Sequence, residues 1–113
     1  MLSTPLRPSQ STRAFPPLGY FRFLTYTNAL SGKPLSHFLG GVRYALPPTG
    51  RYRWRKPYPL PSDYRYGTRE KPADCVRGTK MCPQGQIAAG HGVDEDCLQL
   101  NIWIPVGDAP ADG

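Results

Sequence analysis

Hydrophobic positions follow a two-residue period in three short stretches of the chain. Residues 19–27, GYFRFLTYT, mix aromatic and β-branched side chains in partial alternation, which predicts a strand near 20–27. Residues 37–45, HFLGGVRYA, predict a second strand, in which Gly40 and Gly41 mark a bulge or a close backbone approach. Residues 97–104 have the clearest strand pattern, because the aliphatic side chains share one face. Those side chains are Leu98, Leu100, Ile102 and Ile104, opposite Gln99, Asn101 and Trp103.

The segments between these strands have no hydrophobic period. Residues 28–36 are rich in turn-forming side chains, and residues 46–64 carry five prolines, so this part of the chain is expected to be extended or turning. Residues 62–96 predict a long loop, and residues 1–17, dominated by Ser, Thr, Pro and Gln, predict a flexible N-terminal tail. The pattern therefore predicts a chain that is mostly β and coil.

Composition supports that prediction and adds a basic segment. The 113 residues include 14 Pro and 12 Gly, which disfavours long helices. The formal net charge is +6, and four cations fall within residues 51–56. No apolar run approaches the roughly 18 residues of a membrane-spanning helix, so no membrane span is expected. The N-terminus also lacks the apolar core of a secretory signal peptide.

Three cysteines and a histidine raise the question of a metal site. Cys75, Cys82, His91 and Cys97 have the spacing C-x6-C-x8-H-x5-C, and tetrahedral zinc accepts these ligand types. Zinc sites usually contain a closely spaced pair such as C-x2-C, which this sequence lacks. We therefore expect no metal and no cofactor. The odd number of cysteines allows one disulfide and one spare thiol.

Candidate catalytic residues for acyl transfer are equally hard to find. The sequence has no G-x-S-x-G nucleophile elbow, and neither His37 nor His91 has an identifiable nucleophile partner. Gly40 and Gly41 follow Phe38–Leu39 rather than histidine, so they do not form an H-G-G oxyanion loop. No catalytic residue can be assigned, because acyl transfer requires a nucleophile, a base and oxyanion donors together.

The basic segment RYRWRKPYP, residues 51–59, interleaves arginine with tyrosine and tryptophan. Guanidinium groups and aromatic rings can stack on unpaired bases, so RNA is one conceivable partner. In the alternative, Tyr52 and Trp54 pack inward while the arginines face solvent or pair with acids. No recognised RNA-binding motif accompanies the segment, and nucleic acid is not expected as a partner.

The sequence resembles type-B carboxylesterases, the family of carboxylesterases, cholinesterases and fungal lipases. EDCLQLNIWIP, residues 95–105, matches a family signature of Glu-Asp-Cys-Leu, an aromatic residue or Thr, Leu-Asn-Val/Ile, two variable positions and Pro; Gln99 departs from the usual aromatic. GGVRYALPPTGRYRW, residues 40–54, is similar to the family's Gly-Ile-Pro-Tyr-Ala-x-Pro-Pro-x-Gly-x-Leu-Arg-Phe segment, with Arg43 replacing the usual Pro as in fungal members. KPYPLP (56–61) and CPQ (82–84) resemble further family segments in the same order.

The resemblance implies partners for four residues. In the family, the cysteine before Gln pairs with the cysteine of Glu-Asp-Cys, which here implies a structural disulfide between Cys82 and Cys97. The Arg of Leu-Arg-Phe pairs with the Glu of Glu-Asp-Cys, which implies a structural salt bridge between Arg53 and Glu95. A planar guanidinium suits a carboxylate partner. Cys75 is then the spare thiol.

The resemblance also implies a fold and an activity. The fold is α/β, and this chain corresponds to the N-terminal portion of an α/β-hydrolase: a small β-sheet, a proline-rich loop, a disulfide loop and the first strand of the main sheet. Residues 18–113 would be an incomplete N-terminal segment of a type-B carboxylesterase domain. The family hydrolyses carboxylic esters with a Ser-Glu/Asp-His triad whose members follow the quoted signature. We therefore expect a truncated esterase that is inactive alone, with an ester substrate only in the full-length protein.

An alternative function is a small basic binding protein that uses the Arg/aromatic loop 51–58 for RNA or another anionic partner. The sequence leaves the compartment open. A disulfide favours an oxidising compartment, and family members are often secreted or in the secretory pathway, whereas this N-terminus has no signal-peptide pattern.

Overall fold

A computed structural model describes residues 5–85 and 92–107, whose strands form one five-stranded sheet. In the described residues, the single helical element is a 3₁₀ turn at Gly50–Tyr52. The strand order is β1-β2-β3-β5, and the short β4 runs parallel to β2. The described residues are therefore β-strands and coil with almost no helix, as predicted. The strands are β1 (Leu6–Phe15), β2 (Gly19–Asn28), β3 (Pro34–Arg43), β4 (Ala73–Asp74) and β5 (Gln99–Pro105).

The first strand lies within residues 1–17, for which the sequence predicted a flexible tail. Leu6–Phe15 form β1, which pairs antiparallel with β2 along its whole length, from Leu6 opposite Asn28 to Phe15 opposite Gly19. Most of its side chains are exposed, so its sequence carries no hydrophobic period. Backbone hydrogen bonds to β2 hold this edge strand, and Pro8 and two arginines are typical of protected sheet edges.

The turn between β2 and β3 is built by a local side-chain bond. The Oδ1 atom of Asn28 accepts hydrogen bonds from the amides of Leu30 (2.8 Å) and Ser31 (3.2 Å). Gly32 then adopts a φ of 74°, a left-handed conformation that glycine takes without a steric cost. This turn lies where the sequence predicted it, and it returns the chain as β3 beside β2.

Next to a bulge at Gly40 and Gly41, β3 no longer pairs with β2, and the short β4 lies beside β2 instead. The register of β3 against β5 shifts by one residue between Leu39 and Val42, as the glycine pair predicted. In the opening, the amide of Cys75 donates to Arg22 of β2 and its carbonyl accepts from the amide of Gly40, both at 2.8 Å. A Cβ on Gly40 would lie 2.0 Å from the carbonyl oxygen of Arg77, so this crossing requires glycine.

The core lies on one face of the sheet and centres on two alternate residues of β2. Phe21 and Phe23 are 3% and 1% exposed. Ile102 and Ile104 of β5 pack against this cluster, as the alternation predicted, whereas Leu100, on the same face, is 39% exposed. The other buried members of the cluster are Leu39, Val42 and Cys75.

The last strand joins the same sheet rather than starting a second one. Residues 97–104 were expected to supply the first strand of a main sheet, separate from a small N-terminal sheet. In the structure, β5 pairs antiparallel with β3, from Pro105 opposite Ser36 to Gln99 opposite Arg43. Among the described residues, no helix is long or apolar enough to cross a membrane.

Candidate functional site

A disulfide closes the loop that precedes β5. Cys82 and Cys97 are bonded, with their Cα atoms 5.2 Å apart, which confirms the pairing that the resemblance implied. Backbone hydrogen bonds at Met81 also close this loop. The amide of Met81 donates to the carbonyl of Gly92 at 2.8 Å, and its carbonyl accepts from the amide of Asp94 at 3.0 Å. The start of β5 is therefore tied to the other end of the loop by one covalent and two hydrogen bonds.

The structure also brings together Arg53 and Glu95, the expected ion pair. Arg53 Nε lies 2.6 Å from Glu95 Oε1, and both side chains are about half exposed. A shallow apolar recess of about 220 Å³ lies between this pair and the disulfide. Trp54 lines the recess at a φ of 63° and is 93% exposed, so it does not pack inward. The ion pair links the Arg-rich segment to the motif that carries Cys97.

A second ion pair beside the disulfide was not anticipated from the sequence. Arg43 at the end of β3 makes a bidentate contact with Asp96, at 2.6 Å and 2.7 Å. The hydrogen bond from Arg43 lowers the pKa of Asp96 and, in return, raises the pKa of Arg43. The Arg43 carbonyl also accepts a 2.6 Å hydrogen bond from the hydroxyl of Tyr66. Arg43 therefore connects β3, the disulfide loop and the segment around Tyr66.

We expect Arg43→Gln to lower the free energy of unfolding by about 1–2 kcal/mol at pH 7, because it removes a charge-assisted, partly buried pair. The depressed pKa of Asp96 means that the pair stabilises the fold above the pKa of the unfolded state and loses this effect as pH falls through the folded pKa. The difference between wild type and variant should therefore shrink as the pH falls below about 4, the ordinary pKa of an aspartate, and on through the lower pKa of the folded state. Denaturant unfolding at several pH values measures it.

A matched control for this prediction is Arg22→Gln. Arg22 and Asp74 also pair at 2.8 Å, but their side chains are 41% and 47% exposed, against 19% and 32% for Arg43 and Asp96. Exposed pairs contribute little, so we expect a loss of less than about 0.5 kcal/mol. Equal losses in the two variants would contradict the prediction, as would a pH-independent difference for Arg43→Gln.

The residues considered as zinc ligands are engaged elsewhere or lie outside the described residues. The thiols of Cys82 and Cys97 are consumed by the disulfide, and His91 falls outside residues 5–85 and 92–107. Cys75 is a free thiol that is 3% exposed. Burial, aided by the charge of Asp74, raises its pKa to about 11, which makes the thiol unreactive at neutral pH.

The described histidine contacts a hydroxyl, but the arrangement is structural. His37 Nδ1 lies 3.0 Å from Thr25 Oγ1 across the β2–β3 pair, and the His37 ring packs edge-on against Phe23. Burial and the nearby Arg13 lower the pKa of His37, so the ring is neutral at pH 7. Among the described residues, no serine hydroxyl is hydrogen-bonded to this ring. These residues therefore position the chain and are not arranged for acyl transfer.

The comparison with protein families matches nearly the whole of this arrangement. The model of the carboxylesterase family matches residues 25–112, which include the end of β2, all of β3, both ion pairs at the disulfide corner and β5. Arg43, Arg53, Asp96 and both bonded cysteines therefore lie inside the family segment.

Curated relatives support the same family. A carboxylic ester hydrolase of Gibberella moniliformis is 48% identical over 99 residues, covering 85% of this chain and 18% of the relative. An uncharacterised esterase/lipase of Schizosaccharomyces pombe is 37% identical over 90% of this chain and 19% of its own length. Acetylcholinesterase of Gallus gallus is 32% identical, with 94% of this chain and 14% of the relative covered. The chain spans less than a fifth of these proteins, and it belongs to the carboxylesterase family.

Proposed function

We propose that these 113 residues act as the N-terminal part of a carboxylic ester hydrolase with an α/β-hydrolase fold, and that they do not hydrolyse esters by themselves. The observation that carries the proposal is the family match over residues 25–112 together with the small share of each relative that they cover. In this proposal, residues 18–113 are an incomplete segment of a type-B carboxylesterase domain, and the Ser-Glu/Asp-His triad lies outside them.

The reaction class is supported by the names of the relatives. The Gibberella protein is a carboxylic ester hydrolase and the Schizosaccharomyces protein an esterase/lipase, so an ester is the substrate class we assign to the complete protein. Because the relatives also include a cholinesterase, the alcohol and acyl groups of that ester are left open. In the described residues, no serine is paired with a histidine base, which supports assigning catalysis to another part of the protein.

The role of this segment within the hydrolase is to build a rigid edge of its sheet. The disulfide and the Arg43–Asp96 and Arg53–Glu95 pairs all act on residues 95–97, immediately before β5. They fix where β5 starts and how it lies against β3. The outer edge of β5 has no strand partner among the described residues, and Trp103, on the sheet face opposite the core, is 58% exposed. An open edge of this kind suits a segment that further structure covers.

The proposal is tested by comparing the chain alone with a chimera. The chimera replaces the matching N-terminal residues of the Gibberella hydrolase with these residues, and both proteins are assayed with p-nitrophenyl esters. We expect no hydrolysis above the buffer rate from the 113-residue chain and activity within about tenfold of the parent from the chimera. A catalytic-serine knockout of the chimera is the control for contaminating esterase.

Two outcomes of that assay contradict the proposal. Hydrolysis by the isolated chain would place the catalytic groups inside it. A chimera that folds with the parent's thermal midpoint, yet is inactive, would show that this segment does not supply the architecture of an active hydrolase.

A further inference from the structure

The Arg/aromatic loop, residues 51–58, is not used in the function proposed above. Of its four cations, Arg53 is neutralised by Glu95 at 2.6 Å. Within the described residues, no carboxylate lies within salt-bridge distance of the other three, Arg51, Arg55 and Lys56. Among the described residues, the loop therefore has one arginine that pairs with an acid and three cations that are available to another partner.

The three remaining cations line one open cavity. It has a volume of about 420 Å³, within the range of small-molecule sites, and its other two lining residues are Tyr52 and Tyr58. The tyrosine rings lie 5.4 Å apart and are tilted by 48°. The cavity therefore offers both positive charge and aromatic surface.

Local contacts position Arg51, Tyr52 and the backbone of Tyr58 around this cavity. The guanidinium of Arg51 lies 4.9 Å from the centre of the Tyr52 ring, and its Nη2 donates to the Tyr52 hydroxyl at 2.8 Å. The 3₁₀ turn is closed by the amide of Tyr52 donating to Thr49 at 3.0 Å. At the far end, the amide of Leu46 donates to the carbonyl of Tyr58 at 2.9 Å. Pre-organised donors lose less entropy on binding than flexible ones.

We propose that this cavity binds a small soluble aryl phosphate, with the phosphate on Arg51, Arg55 and Lys56 and the ring on Tyr58. A phosphate monoester carries a charge of about −1.5 to −2 at pH 7. It therefore matches three cations better than the single charge of a carboxylate ligand would. Guanidinium groups bind its oxygens through charge-assisted hydrogen bonds. Tyr58 is 56% exposed, so its ring can stack with the ring of a ligand. This proposal does not depend on ester hydrolysis.

The test is titration of the full 113-residue chain with phenyl phosphate, inorganic phosphate and benzoate at low salt, followed by calorimetry. We expect saturable binding of phenyl phosphate with a Kd of about 1 mM or below. Inorganic phosphate should bind about threefold to tenfold more weakly because it lacks the ring, and benzoate more weakly again because it carries one charge.

Variants separate the cavity from general attraction by a basic protein. Arg55→Gln/Lys56→Gln should weaken phenyl phosphate binding by about tenfold. The matched control, Arg69→Gln/Lys71→Gln, removes the same charge from an exposed surface where Arg69 lies 5.9 Å from the Tyr20 ring, and it should change binding by less than twofold. Tyr58→Ala should abolish the preference for phenyl phosphate over inorganic phosphate.

Three results would overturn the proposal. The first is that none of the three anions shows saturable binding. The second is an equal loss of affinity in the two double variants, which would assign the attraction to net charge. The third is an unchanged ring preference in Tyr58→Ala. None of these results depends on esterase activity. This proposal can therefore fail while the proposed function stands, and the proposed function can fail while this proposal stands.

Discussion

We expect the Cys82→Ala/Cys97→Ala double variant to lose about 3 kcal/mol of unfolding free energy under oxidising conditions. The bond joins residues 15 apart in sequence, and closing a loop of that length restricts the unfolded chain by about this amount. The loss is large for a small chain, since domains of this size are stable by only about 5–15 kcal/mol. Guanidinium unfolding of both proteins, without reductant, measures it.

Two controls assign that loss to the bond. Dithiothreitol should lower the stability of the wild-type chain by a similar amount and leave the double variant unchanged. Cys75→Ala removes a buried thiol that forms no disulfide, and it should cost only about 1 kcal/mol for the small cavity. A double variant as stable as wild type, or a wild type insensitive to reduction, would contradict the assignment.

The second large effect is expected in the core, where Phe23→Ala should lower the free energy of unfolding by about 3–5 kcal/mol. Phe23 is the most deeply buried large side chain described and packs against Phe15 and His37 with ring centres at 5.9 Å and 5.1 Å. Its removal leaves a cavity that a small sheet cannot fill by relaxing. Denaturant unfolding measures the loss.

Phe38→Ala is the matched control because it removes the same side chain from the opposite face of the sheet. Phe38 is half-buried and stacks on Trp103 with ring centres 4.5 Å apart. We expect it to cost less than half as much as Phe23→Ala, because much of its surface already faces solvent. A larger loss for Phe38→Ala than for Phe23→Ala would contradict the assignment of the main core to the face of the sheet that carries Phe23.

The strands that the sequence predicted are those with one buried face. β2 buries Phe21 and Phe23, and β5 places the partly buried Ile102 and Ile104 on one face, so their hydrophobic period reports on burial. β3 buries Leu39 and Val42 on either side of its bulge. β1 has almost no buried side chain and β4 has two residues, so neither produces a period. Their positions are determined by backbone hydrogen bonds to β2, which leave no trace in side-chain pattern.

Some contacts of the candidate site could be predicted from the sequence, and others could not. Cys82–Cys97 and Arg53–Glu95 could be anticipated because both lie in motifs that resemble a known family. Arg43 and Asp96 lie 53 residues apart, and nothing local in the sequence links them. Arg43 could be recognised as a departure from the family's proline. Arg43 makes a bidentate contact with Asp96 beside the disulfide. Only the three-dimensional structure shows that contact.

The buried position of Cys75 has a consequence for how the chain acquires its disulfide. In the unfolded chain, Cys75 is only seven residues from Cys82, whereas Cys97 is 15 away, and shorter loops close more readily. Premature oxidation therefore favours the incorrect Cys75–Cys82 bond. Once β4 is seated between β2 and β3, Cys75 is out of reach of any oxidant. We therefore expect a higher yield of the Cys82–Cys97 bond when the sheet forms before the thiols are oxidised.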